Sequence, residues 1–122
     1  MANEITVGLS MNVSNGYFVD QFQPGTIQIT QAAIGGHSPI VIVGTSEEDF
    51  GTGDISTLGL CALRNLDTTN YVTYGPKSAG SMVAMGRIKA GEVAFFRFEP
   101  GVTLRWIANT SSVKIQVKLL EA

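Results

Sequence analysis

Alternation of apolar and polar residues with a period of two is the feature that most limits the folds open to this chain. Apolar side chains occupy every second position between residues 5 and 13, and again between residues 113 and 119. A strand with one buried face produces this pattern, whereas a helix repeats every 3.6 residues. Because no stretch has a convincing helical period, the sequence predicts an all-β protein with little or no helix.

Turn residues divide this pattern into short strands. Asn15-Gly16 follows the first strand and is typical of a type I′ hairpin turn, in which both central residues have positive φ. Ala90-Gly91 and Pro100-Gly101 mark later turns. About nine or ten strands, separated by turns every eight to twelve residues, favour a jelly-roll-like antiparallel sandwich of two sheets. An immunoglobulin-like strand order fits the same pattern. The length of 122 residues predicts a single β-sandwich domain over residues 1–122.

Three segments carry more local predictions. Pro24-Gly25 is expected to form a turn between a return strand and a third strand at residues 26–30. Residues 40–43 are continuously apolar, which is typical of a strand covered on both faces. Residues 45–57 are acidic and contain several glycines, so they are expected to form a long loop.

Charge is sparse and unevenly distributed along the chain. Charged residues make up 15% of the sequence, against roughly 25% in an average soluble domain. Either a partner covers part of the surface, or neutral polar residues replace charged ones. Residues 1–63 contain acidic residues but no Lys or Arg, and the remainder is net basic. Neighbouring copies would attract head to tail if the two halves form different surfaces. The asymmetry cancels if their strands interleave. The net charge of −2 argues against general affinity for nucleic acid or anionic membranes.

Residues able to support catalysis or metal binding are few. His37 is the only histidine, and no motif beside it supplies a nucleophile or an orienting acid. Cys61 is the only cysteine and lies in an apolar strand context, which predicts a core position. The segment 45–57 contains four acidic residues, which either bind calcium or belong to a plain solvated loop. Their spacing does not match an EF-hand. We therefore predict a protein that is not an enzyme, with no catalytic, cofactor-binding or metal-ligating residue.

Two further features concern the surface. Trp106 is the only tryptophan and alternates with the apolar side of its strand, so it is expected in the core. An exposed Trp106 would instead offer a platform for a carbohydrate.

The outer faces of the last strands are expected to present four basic residues, which are Arg97, Arg105, Lys114 and Lys118. They form either ordinary solvated strand faces, which deter edge pairing, or a docking face for an acidic partner such as the 45–54 loop of a neighbouring copy.

Two stretches carry a family resemblance. Residues 63–75 read LRNLDTTNYVTYG, and residues 89–104 read KAGEVAFFRFEPGVTL. Together they resemble a group of small structural proteins of tailed phages, in which an RNLD-x-x-N-x-V strand precedes K-x-GE-x-A-x-x-R-x-x-PG-x-x-L. The likeness extends weakly into the N-terminal half through residues 24–27 and 44–48. Both motifs are expected to stabilise turns, since Asx side chains hold turns and glycine reverses the chain.

The resemblance implies a virion structural protein. The expected role is a capsid cement or decoration protein that stabilises the head by binding the lattice of the major capsid protein. A phage tail or head-tail adaptor component is one alternative, and a carbohydrate- or receptor-binding β-sandwich module is another. The expected partners are the major capsid protein and further copies of the chain, as a homodimer or homotrimer, with no nucleic acid and no membrane. With no signal peptide or membrane span visible, the expected location is the capsid exterior, after synthesis in the host cytoplasm.

Overall fold

A computed structural model describes residues 3–122, and in this range it contains β-strands and no α-helix. The all-β prediction is therefore confirmed. The chain divides into two compact units, Met1–Ile34 and Gly35–Ala122. A single domain over residues 1–122 stays a prediction. The strands of the described residues are β1 (Ile5–Asn15), β2 (Phe18–Ile29), β3 (Gly36–His37), β4 (Ile40–Val43), β5 (Glu48–Asp49), β6 (Leu58–Asn65), β7 (Val72–Ser78), β8 (Ser81–Met82), β9 (Gly86–Ile88), β10 (Val93–Arg97), β11 (Leu104–Ala108) and β12 (Val113–Glu121).

The N-terminal unit is a long antiparallel hairpin of β1 and β2. Asn15 pairs with Phe18, so the central residues of the turn are Gly16 and Tyr17. Gly16 has a φ of 60°, whereas Tyr17 is not among the residues with positive φ. Positive φ at the first central residue alone is the pattern of a type II′ turn. The predicted hairpin is confirmed, but its turn lies one residue later than expected and is of the other primed type.

The predicted turn at Pro24-Gly25 is wrong, because β2 continues through it to Ile29. The pairing register shifts here, since Leu9 faces Gly25 while Met11 faces Phe22. One additional residue of β2 is accommodated as a β-bulge, and Gly25 adopts the positive φ of 79° without a steric penalty. The predicted third strand at residues 26–30 is therefore the second half of β2.

The C-terminal unit contains two antiparallel sheets. In the first, which we call the β12 sheet, the order is β10-β6-β12, and both β3 and β4 pair with the far side of β12. In the second, the β11 sheet, the order is β5-β11-β7, and both β8 and β9 pair with β7. The chain changes sheet at nearly every step, so that β4, β6, β10 and β12 face β5, β7, β9 and β11. This is the strand order of a jelly roll and confirms the predicted fold class.

The inner faces of the two sheets form one hydrophobic core. Every second residue of β12 from Val113 to Leu119 is buried, as the alternation predicts. Trp106 of β11 is 1% exposed and packs edge-on against Phe50 with ring centroids 4.8 Å apart. Cys61 of β6 is fully buried in the same core. Burial of each such apolar side chain stabilises the fold by about 1.5–3 kcal/mol, and the core positions predicted for Trp106 and Cys61 are confirmed.

Two local predictions in this unit need correction. The strand at residues 40–43 is covered on one face only, since Val43 is buried while Ile40 and Ile42 are 63% and 61% exposed. Segment 45–57 is not a plain loop, because Glu48–Asp49 forms β5 and pairs with Arg105–Trp106. Phe50 follows directly and packs in the core. Both this packing and the pairing with β11 therefore hold the short strand in place.

Candidate interaction surfaces

One face of the hairpin is mostly apolar, and Asp20, opposite Val13, is its charged residue. The register places alternate residues of β1 beside their partners on β2, with Val7 opposite Ile27 and Met11 opposite Phe22. The intervening residues, such as Thr6 and Gln28, are polar and lie on the other face. We call the apolar side the hairpin face; it consists of Ile5, Val7, Leu9, Met11, Val13, Phe22, Ile27 and Ile29.

The hairpin face is only partly shielded from solvent. Leu9, Met11, Phe22 and Ile27 are all exposed. The alternation predicted a half-buried strand here, and that burial prediction is wrong over the middle of β1. The physical reason is that the N-terminal unit contains two strands and no second layer of its own.

The outer side of the β12 sheet forms a second exposed surface. Val93, Arg64, Gln116 and Ile40 follow one another across four strands in one row. Apolar side chains are prominent on this side, and Phe95 is 43% exposed. We call it the β12 outer face; it consists of Ile40, Ile42, Ala62, Arg64, Val93, Phe95, Arg97, Lys114, Gln116 and Lys118.

The cations of the β12 outer face are not neutralised by the chain itself. Arg105 is the only cation among the described residues that forms ion pairs, and it lies on the other sheet. Lys118 Nζ donates a hydrogen bond to Ser38 Oγ, which leaves its charge uncompensated. The residues of this face include no carboxylate. Exposed apolar side chains beside unpaired cations are typical of a protein-binding surface.

The predicted basic face is therefore only partly correct. Arg97 and Lys114 lie on the β12 sheet with Lys118, whereas Arg105 points from the outer side of the β11 sheet. Sequence reasoning missed Arg64, which joins them from β6. The available signal was the period of two along β6, which places Arg64 on the opposite side from the apolar Cys61 and Leu63.

Arg105 is held by the acidic segment of its own chain. Its Nη1 lies 2.7 Å from Glu47 Oε1, and its Nε lies 2.6 Å from Asp49 Oδ1. Hydrogen bonding to the guanidinium lowers the pKa of both carboxyl groups below their ordinary values and raises that of Arg105. Met82 N donates a further hydrogen bond to Glu47 Oε1 at 2.7 Å. These two carboxylates are thus engaged within the molecule, where the sequence had suggested solvent, calcium or a neighbouring copy.

The RNLD motif and the KAGE motif meet around one buried side chain. Asn65 Nδ2 donates to Ile88 O at 2.9 Å and to Asn70 O at 3.0 Å, and Asn65 Oδ1 accepts from Asp67 N at 2.8 Å. The backbone of Asn65 also exchanges hydrogen bonds with Gly91 and Glu92. The contact with Ile88 joins the β12 sheet to the β11 sheet. Both motifs therefore stabilise turns, as the sequence predicts, and Asn65 also joins the two sheets, which the sequence did not indicate.

The two residues considered for catalysis, His37 and Cys61, lie on either side of Leu119 in the β12 sheet. His37 lies in β3 opposite Leu119, and Cys61 is buried on β6. Burial raises the pKa of the Cys61 thiol to about 12, so it stays protonated and is a poor nucleophile. Within residues 3–122, no group of three or more His, Cys, Asp or Glu side chains is placed to hold a metal ion. That the protein is not an enzyme stays a prediction.

A cleft of about 550 Å³ lies between the β5–β6 and β10–β11 connections. Phe50 and Phe98 line it, but both rings are buried, so neither offers a flat surface to a sugar. Trp106 is buried as well and offers no platform for a carbohydrate. The carbohydrate-binding alternative stays a prediction.

The described residues thus include two exposed surfaces that carry apolar side chains, the hairpin face and the β12 outer face. Residues 3–122 contain no helix long and apolar enough to cross a membrane. A comparison of the chain with protein-family models, curated proteins and solved structures finds no match.

Proposed function

We propose that this protein is a virion structural protein that acts as capsid cement or decoration. It would bind the lattice of the major capsid protein from the capsid exterior and stabilise the head. The resemblance of residues 63–75 and 89–104 to small tailed-phage structural proteins supports this assignment. The jelly-roll strand order agrees with it, since viral capsid proteins use this fold, although lectins and cupins use it too.

The β12 outer face is the observation that carries the proposal. A cement protein works by adding contact area across the junctions between capsid subunits, and therefore needs a broad exposed surface with apolar anchors. Phe95, Ile40 and Ile42 supply such anchors on one face of a rigid sheet. A stable interface buries about 1,600 Å² in total, and a repeated lattice makes individually modest contacts collectively strong.

The position of the protein in purified virions tests the proposal. Immunogold labelling and mass spectrometry of separated heads and tails should find the chain on the outside of the head, in many copies. Chemically stripped heads should break at lower temperature and regain stability when purified protein is added back. Detection only at the tail or portal would contradict the cement role and favour the tail or adaptor alternative. Absence from the particle would contradict both.

A further inference from the structure

We propose that the hairpins of three copies join edge to edge into a closed six-stranded barrel, with the hairpin face of each copy turned inward. Each copy contributes β1 and β2, so the assembly is a homotrimer. The inference concerns contacts between copies and goes beyond the proposed function. It uses no residue of the β12 outer face, which stays available to the capsid lattice.

The two edges of the hairpin are the first observation. Among the described residues, the sheet that contains β1 and β2 has no third strand. About half of the backbone N–H and C=O groups of each strand therefore point along a free edge. An exposed edge of 11 or 12 residues is a template for pairing with another chain. The strands contain no Lys to deter such pairing, and Pro24 is confined to the β-bulge.

The hairpin face is the second observation. Leu9, Met11 and Phe22 are 47%, 56% and 52% exposed, so about half of each side chain remains in water. An open sheet of several hairpins would only enlarge this apolar surface. A sheet closed into a barrel buries one face and removes every free edge. Closure therefore satisfies the edges and the face together, with polar residues such as Thr6 and Gln28 outside.

The length of the strands selects another hairpin as the partner. At about 3.3 Å per residue, β1 extends about 36 Å and β2 about 40 Å. The other two sheets of the described residues end in much shorter strands, of which β10 is the longest with five residues. Only the hairpin of a further copy can pair along the whole edge. A contact of β1 with β2 of the next copy is heterologous and closes into a ring under rotation.

The width of the interior selects three copies. The diameter of a barrel grows with strand number, and eight strands leave an interior just wide enough for side chains to fill. Two hairpins supply four strands, which leave too little room for rings such as Phe22. Three hairpins supply six strands and a narrow interior. Gly25 lies opposite Leu9 on the hairpin face, and narrow barrels alternate small and large interior residues. A fourth hairpin would leave a void beside Gly25.

The charge of the hairpin face is compatible with this assembly. Asp20 pairs with Val13, two residue pairs from the turn between Asn15 and Phe18. The three Asp20 carboxylates of a trimer therefore lie near one mouth of the barrel, where water reaches them. The middle of the barrel contains apolar side chains alone.

Analytical ultracentrifugation of the full-length purified chain tests the inference. Met11→Asp places a carboxylate inside the barrel. The neighbouring Asn12→Asp adds the same charge on the polar face, where the new side chain can still accept the hydrogen bond that Gln23 Nε2 donates to Asn12 Oδ1 at 2.9 Å. Val102→Asp is a second control, because Val102 is an exposed apolar residue, at 38%, outside the hairpin face and the β12 outer face. Near-ultraviolet circular dichroism of the buried Trp106 confirms that the C-terminal unit of each variant is folded.

We expect the wild type and both controls to be trimers. The midpoint of trimer dissociation should move to a concentration at least about tenfold higher for Met11→Asp, because assembly buries three unpaired carboxylates.

Hydrogen exchange measured by NMR distinguishes the barrel from other trimers. Successive amides of β1 and β2 should be protected in the wild-type trimer, since both edges of each strand are paired. In Met11→Asp at concentrations where it is monomeric, the amides that point away from the partner strand should exchange at least about tenfold faster.

Four results would overturn the inference. The wild-type chain could remain monomeric up to about 1 mM, a concentration at which even weak contacts are populated. It could form a dimer or a tetramer. The outward-pointing amides of the trimer could be unprotected. Met11→Asp could form trimers as stable as those of Asn12→Asp. None of these results bears on the location of the protein in a virion, so failure here is distinguishable from failure of the cement proposal.

Discussion

The outer sides of the two sheets use their basic residues in opposite ways. On the β11 sheet, Arg105 forms ion pairs with Glu47 and Asp49. These ion pairs hold the acidic segment 45–57 against the sheet. On the β12 sheet, Arg64, Arg97, Lys114 and Lys118 have no such partner among the described residues. Charge that is paired within the chain contributes to the fold, whereas unpaired charge beside exposed apolar groups is available to another molecule. We therefore expect the proposed binding to use the β12 outer face.

The largest expected effect comes from breaking the connection between the two sheets. Asn65→Leu keeps a similar volume but leaves Ile88 O, Asn70 O and Asp67 N without their hydrogen-bond partner. We expect the free energy of unfolding to fall by about 2–4 kcal/mol. Urea denaturation measures this change, with the exposed Asn12→Leu as a control expected to shift it by less than about 0.5 kcal/mol. Equal effects of the two substitutions would contradict the role assigned to Asn65.

A smaller effect, on the melting temperature, should distinguish the ion-paired Arg105 from the unpaired cations of the β12 outer face. Arg105→Met removes the partner of two neighbouring carboxylates and should lower the melting temperature at neutral pH. Lys114→Met removes an unpaired cation and should leave the melting temperature unchanged or raise it. The difference should shrink at high salt, because salt screens charges near the surface. Equal melting temperatures for the two variants at low salt would remove the distinction between the two faces.

The smallest expected effect is on the response to acid. The folded state lowers the pKa of Glu47 and Asp49, so it favours their charged forms. Their contribution to stability is complete above the ordinary carboxyl pKa of about 4 and is lost as the pH falls through the lowered values. Arg105→Met removes the largest cause of both shifts, so the stability of this variant should decline less steeply below about pH 4 than that of the wild type. Urea titrations at several pH values measure this decline. An equal loss of stability below about pH 4 in the wild type and the variant would show that these carboxylates do not contribute to stability.

Much of the sandwich could be predicted from alternation, because burial on one face imposes a period of two on every strand that borders the core. The buried residues of β12 and the core position of Trp106 follow from this rule. Pro24-Gly25 could not be assigned, since glycine with positive φ suits a bulge as well as a turn. The same dipeptide at Pro100-Gly101 does form a turn, with Gly101 at a φ of 84° and Val102 N donating to Glu99 O.

The sequence predicts the surfaces less well than it predicts the core. An apolar run such as residues 40–43 does not reveal whether a further layer covers its second face, and here Ile40 and Ile42 are exposed. The pairing of Arg105 with Glu47 depends on contacts between residues far apart in the chain, for which alternation carries no signal. The sequence indicated that basic residues lie on outer faces. Which of them are neutralised depends on the sheet to which each strand belongs.

Rebinding of purified protein to stripped virion heads tests the central claim most directly. The account predicts that the wild type and Val102→Asp bind the heads with equal affinity, whereas Phe95→Asp, with the same change of charge on the β12 outer face, binds at least about tenfold more weakly. Cosedimentation at several protein concentrations gives these affinities. Binding of Phe95→Asp with the affinity of the wild type would contradict the claim that this face is the interaction surface.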